Sequence, residues 1–360
     1  MKHTFEQSLT ESKRIAIAAP SAGGGGAERV AVELANFFCQ KGYSVCYIAV
    51  LSDNRQYKLE PGVDYCVCIP TSGGKGMRAI ERCRQLEEYV EKFAADSVIS
   101  FMTLEYAFLA LRKRRTLIAT VRNAPDREFR SKALQLFRMF LLMRADAVVF
   151  QTGEEREYFP ENVQKKGYII GNPIRENLPI WDFDAHEKRI IAVGRLTKQK
   201  NWPMLINAFQ KFHSRHRDYL LDIYGTGELQ GDLQELIDKL ELSAYVQLRG
   251  HTDAVGEKLK KAEVYVSSSD FEGISNSMLE AMAVGIPVIC TDCPAGGART
   301  YIQNEENGFL IPVRDEGKLC DRLEQLCGNR ELQFKFSERE KKIRNQLSMS
   351  HIGNEWEKLL

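Results

Sequence analysis

The sequence of 360 residues contains no run of apolar residues near the roughly 18–20 that a membrane-spanning helix needs. Its formal net charge is only +1, so overall charge does not indicate a nucleic-acid-binding protein. Nine cysteines are present, but their irregular spacing does not match a disulfide framework. Residues 1–14 also lack the apolar core of a secretory signal. We therefore expect a cytoplasmic protein with reduced thiols.

One C-x-x-C pattern occurs, from Cys290 to Cys293. A redox motif or half of a zinc site would use this spacing, but no second pair with suitable spacing accompanies it. We expect these two cysteines to be buried free thiols at the end of a strand.

Short β-rich runs alternate with helical stretches, which indicates parallel sheets covered by helices. The strand-like runs are residues 14–19, 45–51, 65–69, 97–101, 117–121 and 147–151, then 189–193, 220–224, 246–248, 264–267, 287–290 and 309–311. Between the two sets, Gly-Asn-Pro at 171–173 breaks the pattern. We predict an α/β protein with two Rossmann-like, doubly wound domains, residues 1–173 and 174–345, that face a cleft. Residues 346–360 are predicted to form a helix that packs back on the first domain.

A glycine-rich turn, residues 23–26, directly follows the first strand. Glycines at a strand-to-helix turn let the backbone approach a ligand closely, and the helix N terminus favours anions. The dinucleotide fingerprint G-x-G-x-x-G/A is not met, because the third position is occupied by Arg29 or Glu28. Asp53 follows the second strand and could stand for the ribose-binding acid of this fingerprint, but it lies farther along the sequence than the fingerprint places that acid. A flexible turn without a ligand and an NAD-dependent oxidoreductase remain alternatives.

A basic loop follows the strand at 189–193 and contains Arg195, Lys200 and Asn201. The guanidinium fork of Arg195 suits phosphate oxygens, and Lys200 adds a compact positive charge. Asn201 is a plausible N-cap for a helix with Pro203 in its first turn. Solvated charges on a surface loop are the alternative.

Two carboxylates, Glu272 and Glu280, flank a loop-to-helix transition with seven residues between them. The helix is predicted to start near residues 275–277 and to end at Gly285, before Pro287. Its N-terminal amides would then point into the cleft and suit a diphosphate. A capping box between Ser277 and Glu280 is the structural alternative, although it does not explain Glu272.

These motifs together resemble the large retaining glycosyltransferase family of bacterial polysaccharide synthesis, glycosyltransferase family 4, with the GT-B fold. The E-x7-E spacing, GRL-x3-KN, the N-terminal GGAER, YGTGEL at 224–229 and NGFLIPV at 307–313 carry the resemblance. It covers almost the whole chain, is strongest over 189–313 and weakest over 55–140. Thr300 departs from the family pattern, in which a Glu is common at that place.

The resemblance implies a role for each matching residue. Arg195 and Lys200 would bind the donor diphosphate, Glu272 would orient the donor sugar, and Glu280 would bind the ribose. Arg195, Lys200 and Glu272 are thus the expected catalytic residues. The remaining donor contacts are expected at Gly25, Gly26, Gly225, Thr226, His251, Gly273, Ile274, Ser275 and Asn276. Arg122 and Asn123 match an R-N-x-P element that would touch acceptor or sugar, or would only form a turn.

The resemblance implies no cofactor beyond the nucleotide-sugar donor and no metal. Preorganised cations and amides can stabilise the departing diphosphate electrostatically. Asp182-Phe-Asp184 has the spelling of a metal-binding D-x-D motif, which we interpret as a coincidence because it lies in the linker. Retention by double displacement would make Glu272 a nucleophile. Transfer on one face, with the leaving phosphate accepting the proton, would make it a positioning group, and the sequence leaves both open.

The expected reaction moves a hexose or N-acetylhexosamine from a nucleotide sugar to a glycan, with a polyprenyl diphosphate as carrier, in surface polysaccharide biosynthesis. UDP is preferred over GDP or ADP on family grounds. Residues 101–150 contain ten Lys and Arg against four Asp and Glu, including the runs 112–115 and 127–144. This basic stretch suits an anionic membrane surface, or a helix packed on the sheet with its arginines outward. An epimerase, a phosphorylase and an inactive sugar-binding protein are further alternatives.

Overall fold

Seven parallel strands form the sheet of the first half in a computed structural model that describes residues 13–71, 74–102, 104–112, 114–129 and 131–360. The strand order is β3-β2-β1-β4-β5-β6-β7. The strands are β1 (Arg14–Ala19), β2 (Ser44–Ala49), β3 (Val63–Val67), β4 (Ser97–Ser100), β5 (Thr116–Thr120), β6 (Ala147–Phe150) and β7 (Gly167–Ile169). In the register, Ile17 pairs with Tyr47 on one side and with Ile99 on the other. All three side chains are buried, as expected when helices cover both faces.

Seven helices cover the first sheet in the described residues. They are α1 (Gly26–Gln40), α2 (Lys75–Lys92), α3 (Ala107–Arg112), α4 (Pro125–Glu128), α5 (Lys132–Arg144), α6 (Gly153–Glu157) and α7 (Glu161–Gln164). The helix α1 begins inside the glycine-rich turn, and its buried face includes Val30, Leu34 and Phe38 at helical spacing. This packing places the N terminus of α1 at the carboxyl end of β1.

Six parallel strands form the second sheet in the order β10-β9-β8-β11-β12-β13. The strands are β8 (Arg189–Val193), β9 (Leu220–Tyr224), β10 (Val246–Gly250), β11 (Val264–Ser267), β12 (Val288–Thr291) and β13 (Phe309–Ile311). The chain leaves β8 in one direction along the sheet and returns to β11 on its other side. The β8–β11 boundary is therefore the point where the strand order reverses, which is where open α/β sheets bind ligands.

The helices of the second half begin after a short 3₁₀ turn at Lys198–Lys200. They are α8 (Trp202–His213), α9 (Gln230–Lys239), α10 (Val255–Lys261), α11 (Asn276–Val284), α12 (Gly297–Tyr301), α13 (Glu316–Leu326), α14 (Arg330–Glu340), α15 (Ile343–Gln346) and α16 (Met349–Glu357). None of the helices in the described part of the chain is both long enough and apolar enough to cross a membrane.

The last helix, α16, returns to the first half and packs against α1. Trp356 is fully buried and stacks on Phe101 at a centroid distance of 6.0 Å. Lys41 Nζ, at the end of α1, donates to Glu357 Oε2 over 2.6 Å. One apolar cluster consequently runs from the first sheet through α16 to α11 in the second half.

The predicted fold class, two Rossmann-like doubly wound units, is confirmed. The sequence analysis missed β7, which has three residues and lies at the sheet edge with Tyr168 and Ile169 about half exposed. Such a strand shows little apolar periodicity. The domain boundaries at 173/174 and 345/346 stay predictions.

Candidate active site

Lys200 and Glu272 form the centre of the site at the β8–β11 boundary. Lys200 Nζ donates to Glu272 Oε2 over 2.6 Å, and Ser269 Oγ donates to the same oxygen over 3.0 Å. The Lys200 side chain is only 12% exposed and that of Glu272 20%. The structure thus brings together a basic and an acidic residue that are 72 positions apart, and Lys200 is not a solvated surface charge.

Hydrogen bonds between the loops after β8 and β11 hold this pair in place. Asn201 Nδ2 donates to Asp270 Oδ1 over 2.8 Å, and Gln199 Nε2 donates to the Phe271 carbonyl over 2.9 Å. Asn201 occupies the N-cap position of α8, but its side chain makes no capping bond there. Its backbone is left-handed, with φ of 46°, a conformation that Asn tolerates better than most residues. Asn201 is thus the N-cap residue of α8, as predicted, but it makes no side-chain cap, because its backbone lacks the extended conformation of a capping residue.

Arg195 is an exposed residue of the same loop. Burial raises the pKa of Glu28, in the first turn of α1, and the positive charge of Arg195 partly opposes the shift. Arg195 of the second half is therefore close enough to the glycine-rich turn of the first half to act on a charge there.

Gly225 allows the loop after β9 to pack under Arg195. Its φ is +146°, and a Cβ atom there would lie 1.8 Å from the Gly194 carbonyl oxygen. The neighbouring Thr226 carbonyl accepts from the Leu196 amide over 2.9 Å. A side chain at Gly225 would therefore push the Arg195 loop away. His251 directly follows Gly250, whose carbonyl accepts from the Gly225 amide over 2.8 Å, and its exposed side chain lies 3.2 Å from Asp253.

The helix α11 presents its N terminus beside Glu272. It begins at Asn276 and ends before Gly285, as predicted. The Ser275 side chain at the N-cap makes no capping hydrogen bond, and Ser277 Oγ donates to the Val193 carbonyl over 3.0 Å. A capping box between Ser277 and Glu280 is thus not formed. The first amides of α11 remain suited to an anionic ligand.

Glu280 is buried in a charged cluster that joins the two halves. Its Oε1 lies 3.2 Å from Arg175 Nε and 3.6 Å from Arg29 Nη1. Arg29 Nη1 also donates to Glu33 Oε1 over 2.8 Å. The sequence analysis did not assign Arg29, Glu33 or Arg175 to the site. The i,i+4 spacing of Arg29 and Glu33 was the available signal, but it is also typical of a solvated helix face.

Two close backbone approaches bring the halves together. A Cβ atom on Gly273 would lie 2.4 Å from Gln151 Oε1 and 3.1 Å from the Arg122 carbonyl oxygen. Gly26 faces Asn276, whose Nδ2 donates to the Gly26 carbonyl over 3.3 Å. Arg122 thus lies at the cleft, as predicted, with its backbone against the loop that follows Glu272.

Cys290 and Cys293 are free, buried thiols, as expected from the sequence. Burial raises the pKa of both and brings that of Cys293 to about 12. They are thus poor nucleophiles and poor metal ligands at neutral pH.

The Asp182-Phe-Asp184 segment precedes β8 and is bonded to the end of α10, where the Asp182 amide donates to the Lys260 carbonyl over 3.4 Å. Asp182 Oδ1 accepts from two backbone amides of its own turn, and Asp184 pairs with Arg330 over 2.6 Å. Across the described residues, no group of three or more His, Cys, Asp or Glu is arranged to hold a metal ion.

Two family models match the chain. Residues 173–343 match the model described as glycosyl transferases group 1, and residues 24–177 match Glycosyltransferase Family 4. The matches meet in the segment that joins the two sheets and together cover 24–343. The chain belongs to the glycosyltransferases of the GT-B fold.

Two relatives and one solved structure show what this glycosyltransferase is similar to. The amylovoran biosynthesis glycosyltransferase AmsD of Erwinia amylovora is 25% identical over 87% of this chain and 90% of its own length. The N-acetylgalactosamine-N,N'-diacetylbacillosaminyl-diphospho-undecaprenol 4-alpha-N-acetylgalactosaminyltransferase of Campylobacter jejuni is 30% identical over 59% of each chain. The crystal structure of Anabaena HepE with UDP-glucose has a TM-score of 0.82 at 16% identity, over 96% of this chain and 98% of that one. This last similarity is one of fold.

The Glu33–Glu280 cluster predicts a pH-dependent stability. Burial raises the pKa of Glu33 to about 7, Glu280 adds to the shift, and Oε2 of Glu33 is buried without a hydrogen-bond partner among the described residues. The folded state therefore holds this proton longer than the unfolded state, and stability falls as pH rises from about 4.5 to 7. We expect Glu33→Gln to match the wild type at pH 5 and to be about 1–2 kcal/mol more stable at pH 8.

Urea unfolding at both pH values measures this difference. Glu161→Gln, a substitution at an exposed position of α7, is the control and should change the free energy of unfolding little at either pH. Equal stability of Glu33→Gln and the wild type at pH 8 would contradict the prediction.

Proposed function

We propose that this glycosyltransferase is a retaining enzyme that transfers a hexose or N-acetylhexosamine from a UDP-sugar to a lipid-linked glycan in polysaccharide biosynthesis. The observation that carries the proposal is the Lys200–Glu272 pair beside Arg195 and the N terminus of α11. This arrangement combines cations, amides and one carboxylate at the point where the second sheet reverses its strand order. A nucleotide sugar has the complementary parts, a diphosphate and sugar hydroxyls.

The leaving diphosphate would be bound by Arg195, Lys200 and the amides of residues 273–276. An ammonium group has three N–H donors, so Lys200 can keep its bond to Glu272 while it binds a phosphate oxygen. Fixed donors of this kind stabilise the charge that develops as the glycosyl–phosphate bond breaks. In this proposal they supply the charge that a divalent metal supplies in other transferases, and no metal is required.

The nucleoside would extend from the diphosphate across the second half. Glu280, in the middle of α11, would bind the ribose, and the base would lie near Gly225, Thr226 and His251. Uridine is preferred because HepE, a protein of the same fold, was crystallised with UDP-glucose.

The acceptor would enter from the first half, over the glycine-rich turn and Arg122. The Campylobacter relative is named for a diphospho-undecaprenol acceptor, and the Erwinia relative for amylovoran biosynthesis. These names support an acceptor that is a glycan carried on a lipid diphosphate.

Nucleotide binding tests the donor site. We expect UDP to bind in the presence of a chelator, and Lys200→Ala to weaken its affinity about 10- to 100-fold because one charge-assisted hydrogen bond is lost. Calorimetric titration with UDP, GDP, ADP and NAD measures this. Lys188→Ala is the matched control, because Lys188 also pairs with a carboxylate, Asp218, but at the surface. Binding of NAD alone, or of no nucleotide, would refute the proposal.

The partners of Glu272 support a positioning role rather than a nucleophilic one. Its Oε2 already accepts from Lys200 and Ser269, which reduces its nucleophilicity and fixes its direction. Its Oε1 would bind a hydroxyl of the donor sugar.

Glu272→Gln keeps the shape and the capacity to accept a hydrogen bond. We therefore expect kcat to fall about 10- to 100-fold but to remain measurable, with the product anomer retained in NMR spectra. Glu235→Gln, on the exposed face of α9, should leave kcat unchanged. Complete loss of turnover in Glu272→Gln, with trapping of a glycosyl–enzyme, would indicate a nucleophile instead.

The helix α5 supports docking on an anionic membrane, because its apolar side chains point outward. Leu136 is 71% exposed, and Leu134, Phe137, Phe140 and Met143 are 36–40% exposed. Arg138, in contrast, is 1% exposed and packs over the rings of Phe129 and Phe159. The alternative of a helix with its arginines outward is therefore wrong for Arg138.

Basic residues are exposed at or near α5. They are Arg112, Arg114, Arg127 and Lys132, whereas Lys113 and Arg130 lie outside the described residues. The first three pair with the carboxylates of Glu87, Glu91 and Asp126, respectively. Exposed apolar side chains with basic residues nearby suit the interface of an anionic bilayer.

Flotation with phosphatidylglycerol liposomes tests the docking face. We expect the wild type to float at low salt and the double variant Leu136→Ser/Phe137→Ser to stay at the bottom, because apolar insertion is lost. The control Ile180→Ser/Phe334→Ser changes two exposed apolar residues away from α5 and should still float. A wild-type protein that stays at the bottom would contradict the prediction.

A further inference from the structure

Asn172 is a buried amide at the junction of the two halves. It lies in the segment between β7 and β8. Its Oδ1 accepts from Arg122 Nη1 over 2.8 Å and from Gln151 Nε2 over 3.0 Å. Its Nδ2 donates to Asn276 Oδ1 over 2.7 Å. One side chain thus joins the carboxyl ends of β5 and β6 to the N terminus of α11.

The chain of hydrogen bonds continues across the cleft. Asn276 Nδ2 donates to the Gly26 carbonyl over 3.3 Å, at the start of α1. Gln151 Oε1 accepts from the Ile274 amide over 3.3 Å. Asn172 is therefore connected to both ends of the segment 274–276, to Asn276 directly and to the Ile274 amide through Gln151.

The donor-to-acceptor direction of this series of hydrogen bonds is fixed at both ends. The Arg122 guanidinium can only donate, and the Gly26 carbonyl can only accept. Both intervening amides, Asn172 and Asn276, must therefore present oxygen toward Arg122 and nitrogen toward Gly26. The donor and acceptor atoms match in the arrangement of the two halves that the structure shows.

We propose that Asn172 is a positioning residue that couples closure of the cleft to the placement of the α11 N terminus and the preceding loop at the donor diphosphate. The proposal rests on the proposed function, because it assigns a role at the same donor site. Asn172 touches neither substrate in this scheme. It acts through Asn276 and Gln151, which hold the backbone amides that would contact the diphosphate.

Asn172→Asp separates this role from a purely structural one. The new carboxylate still accepts from Arg122 and Gln151. It also faces a guanidinium whose Nε and Nη2 are buried without hydrogen-bond partners in the described part of the chain. Because a carboxylate pairs strongly with a guanidinium, the melting temperature should stay the same or rise.

The same substitution breaks the chain toward α11. A carboxylate oxygen replaces Nδ2 and faces Asn276 Oδ1, so two acceptors meet. If the Asn276 amide turns to donate, its oxygen faces the Gly26 carbonyl instead. In either orientation one of two hydrogen bonds is lost, that between residues 172 and 276 or that between Asn276 and Gly26. The closed cleft is therefore disfavoured.

The experiment combines small-angle X-ray scattering at saturating UDP with turnover of UDP-hexoses and UDP-N-acetylhexosamines, followed as UDP release. For Asn172→Asp we expect a radius of gyration larger than that of the wild type. A compact chain of this length has a radius of gyration of roughly 21 Å. We expect kcat to fall about 10- to 100-fold through misplacement of the diphosphate contacts. UDP affinity should fall less than kcat, because the proposed contacts of Arg195, Lys200 and the nucleoside pocket do not depend on Asn172.

Two further variants complete the test. Asn276→Ala introduces no charge and removes the hydrogen bonds at the other end of this chain, those of Asn276 with Asn172 and Gly26. It should show the same opening and the same loss of kcat, even if Asn172→Asp does not fold. Asn36→Asp is the control, because Asn36 also accepts one backbone hydrogen bond and donates another, but outside the cleft.

The outcomes distinguish this proposal from the proposed function. Wild-type protein that binds no UDP refutes the donor site itself. Normal UDP binding, with scattering and kcat of Asn172→Asp and Asn276→Ala equal to those of Asn36→Asp, overturns the coupling alone. A lower melting temperature with unchanged kcat also overturns it, since Asn172 would then only stabilise the fold.

Discussion

The ion pair between Lys200 and Glu272 holds the loops after β8 and β11 at the point where the second sheet reverses its strand order. Two charges so little exposed are costly to desolvate, and a buried pair of this kind is weak evidence for stability. Here the Ser269 hydroxyl and the Asn201–Asp270 bond supply further polar contacts around it. The arrangement therefore suits the binding of charge, which is the role that we propose for this pair together with Arg195 and the N terminus of α11.

The contact between the two halves is largely polar on the cleft side. The charged cluster around Glu280 consists of ion pairs, and the chain from Arg122 through Asn172 and Asn276 to Gly26 consists of hydrogen bonds. Water could replace these contacts in an open cleft. An apolar contact, that of Trp356 of α16 on Phe101, lies beside these polar groups, because the Arg122 guanidinium packs over both rings. Polar interfaces between domains favour relative motion. The proposed closure of the cleft thus depends on directional bonds next to an apolar contact.

The helix α5, in the first half, exposes apolar side chains and buries a charged one, which is the reverse of the usual pattern of a surface helix. In α5, Arg138 is buried between aromatic rings while Leu136 and Phe137 face outward. An outward apolar face on a helix gives no stability in water. This face is the one that we propose to dock on a membrane that carries the acceptor.

The sequence by itself determined the class of fold and the neighbourhood of the site. Alternating strands and helices require parallel sheets, and the carboxyl ends of parallel strands share one edge, so Arg195, Lys200 and Glu272 had to lie near one another. The bounds of α11 followed from local signals, its polar start and Gly285. Only the tertiary structure decided the partners of Glu280, the burial of Arg138 and the relay through Asn172. These depend on how two separately folded sheets face each other, and on contacts between residues as far apart as Asn172 and Asn276, for which local periodicity carries no information.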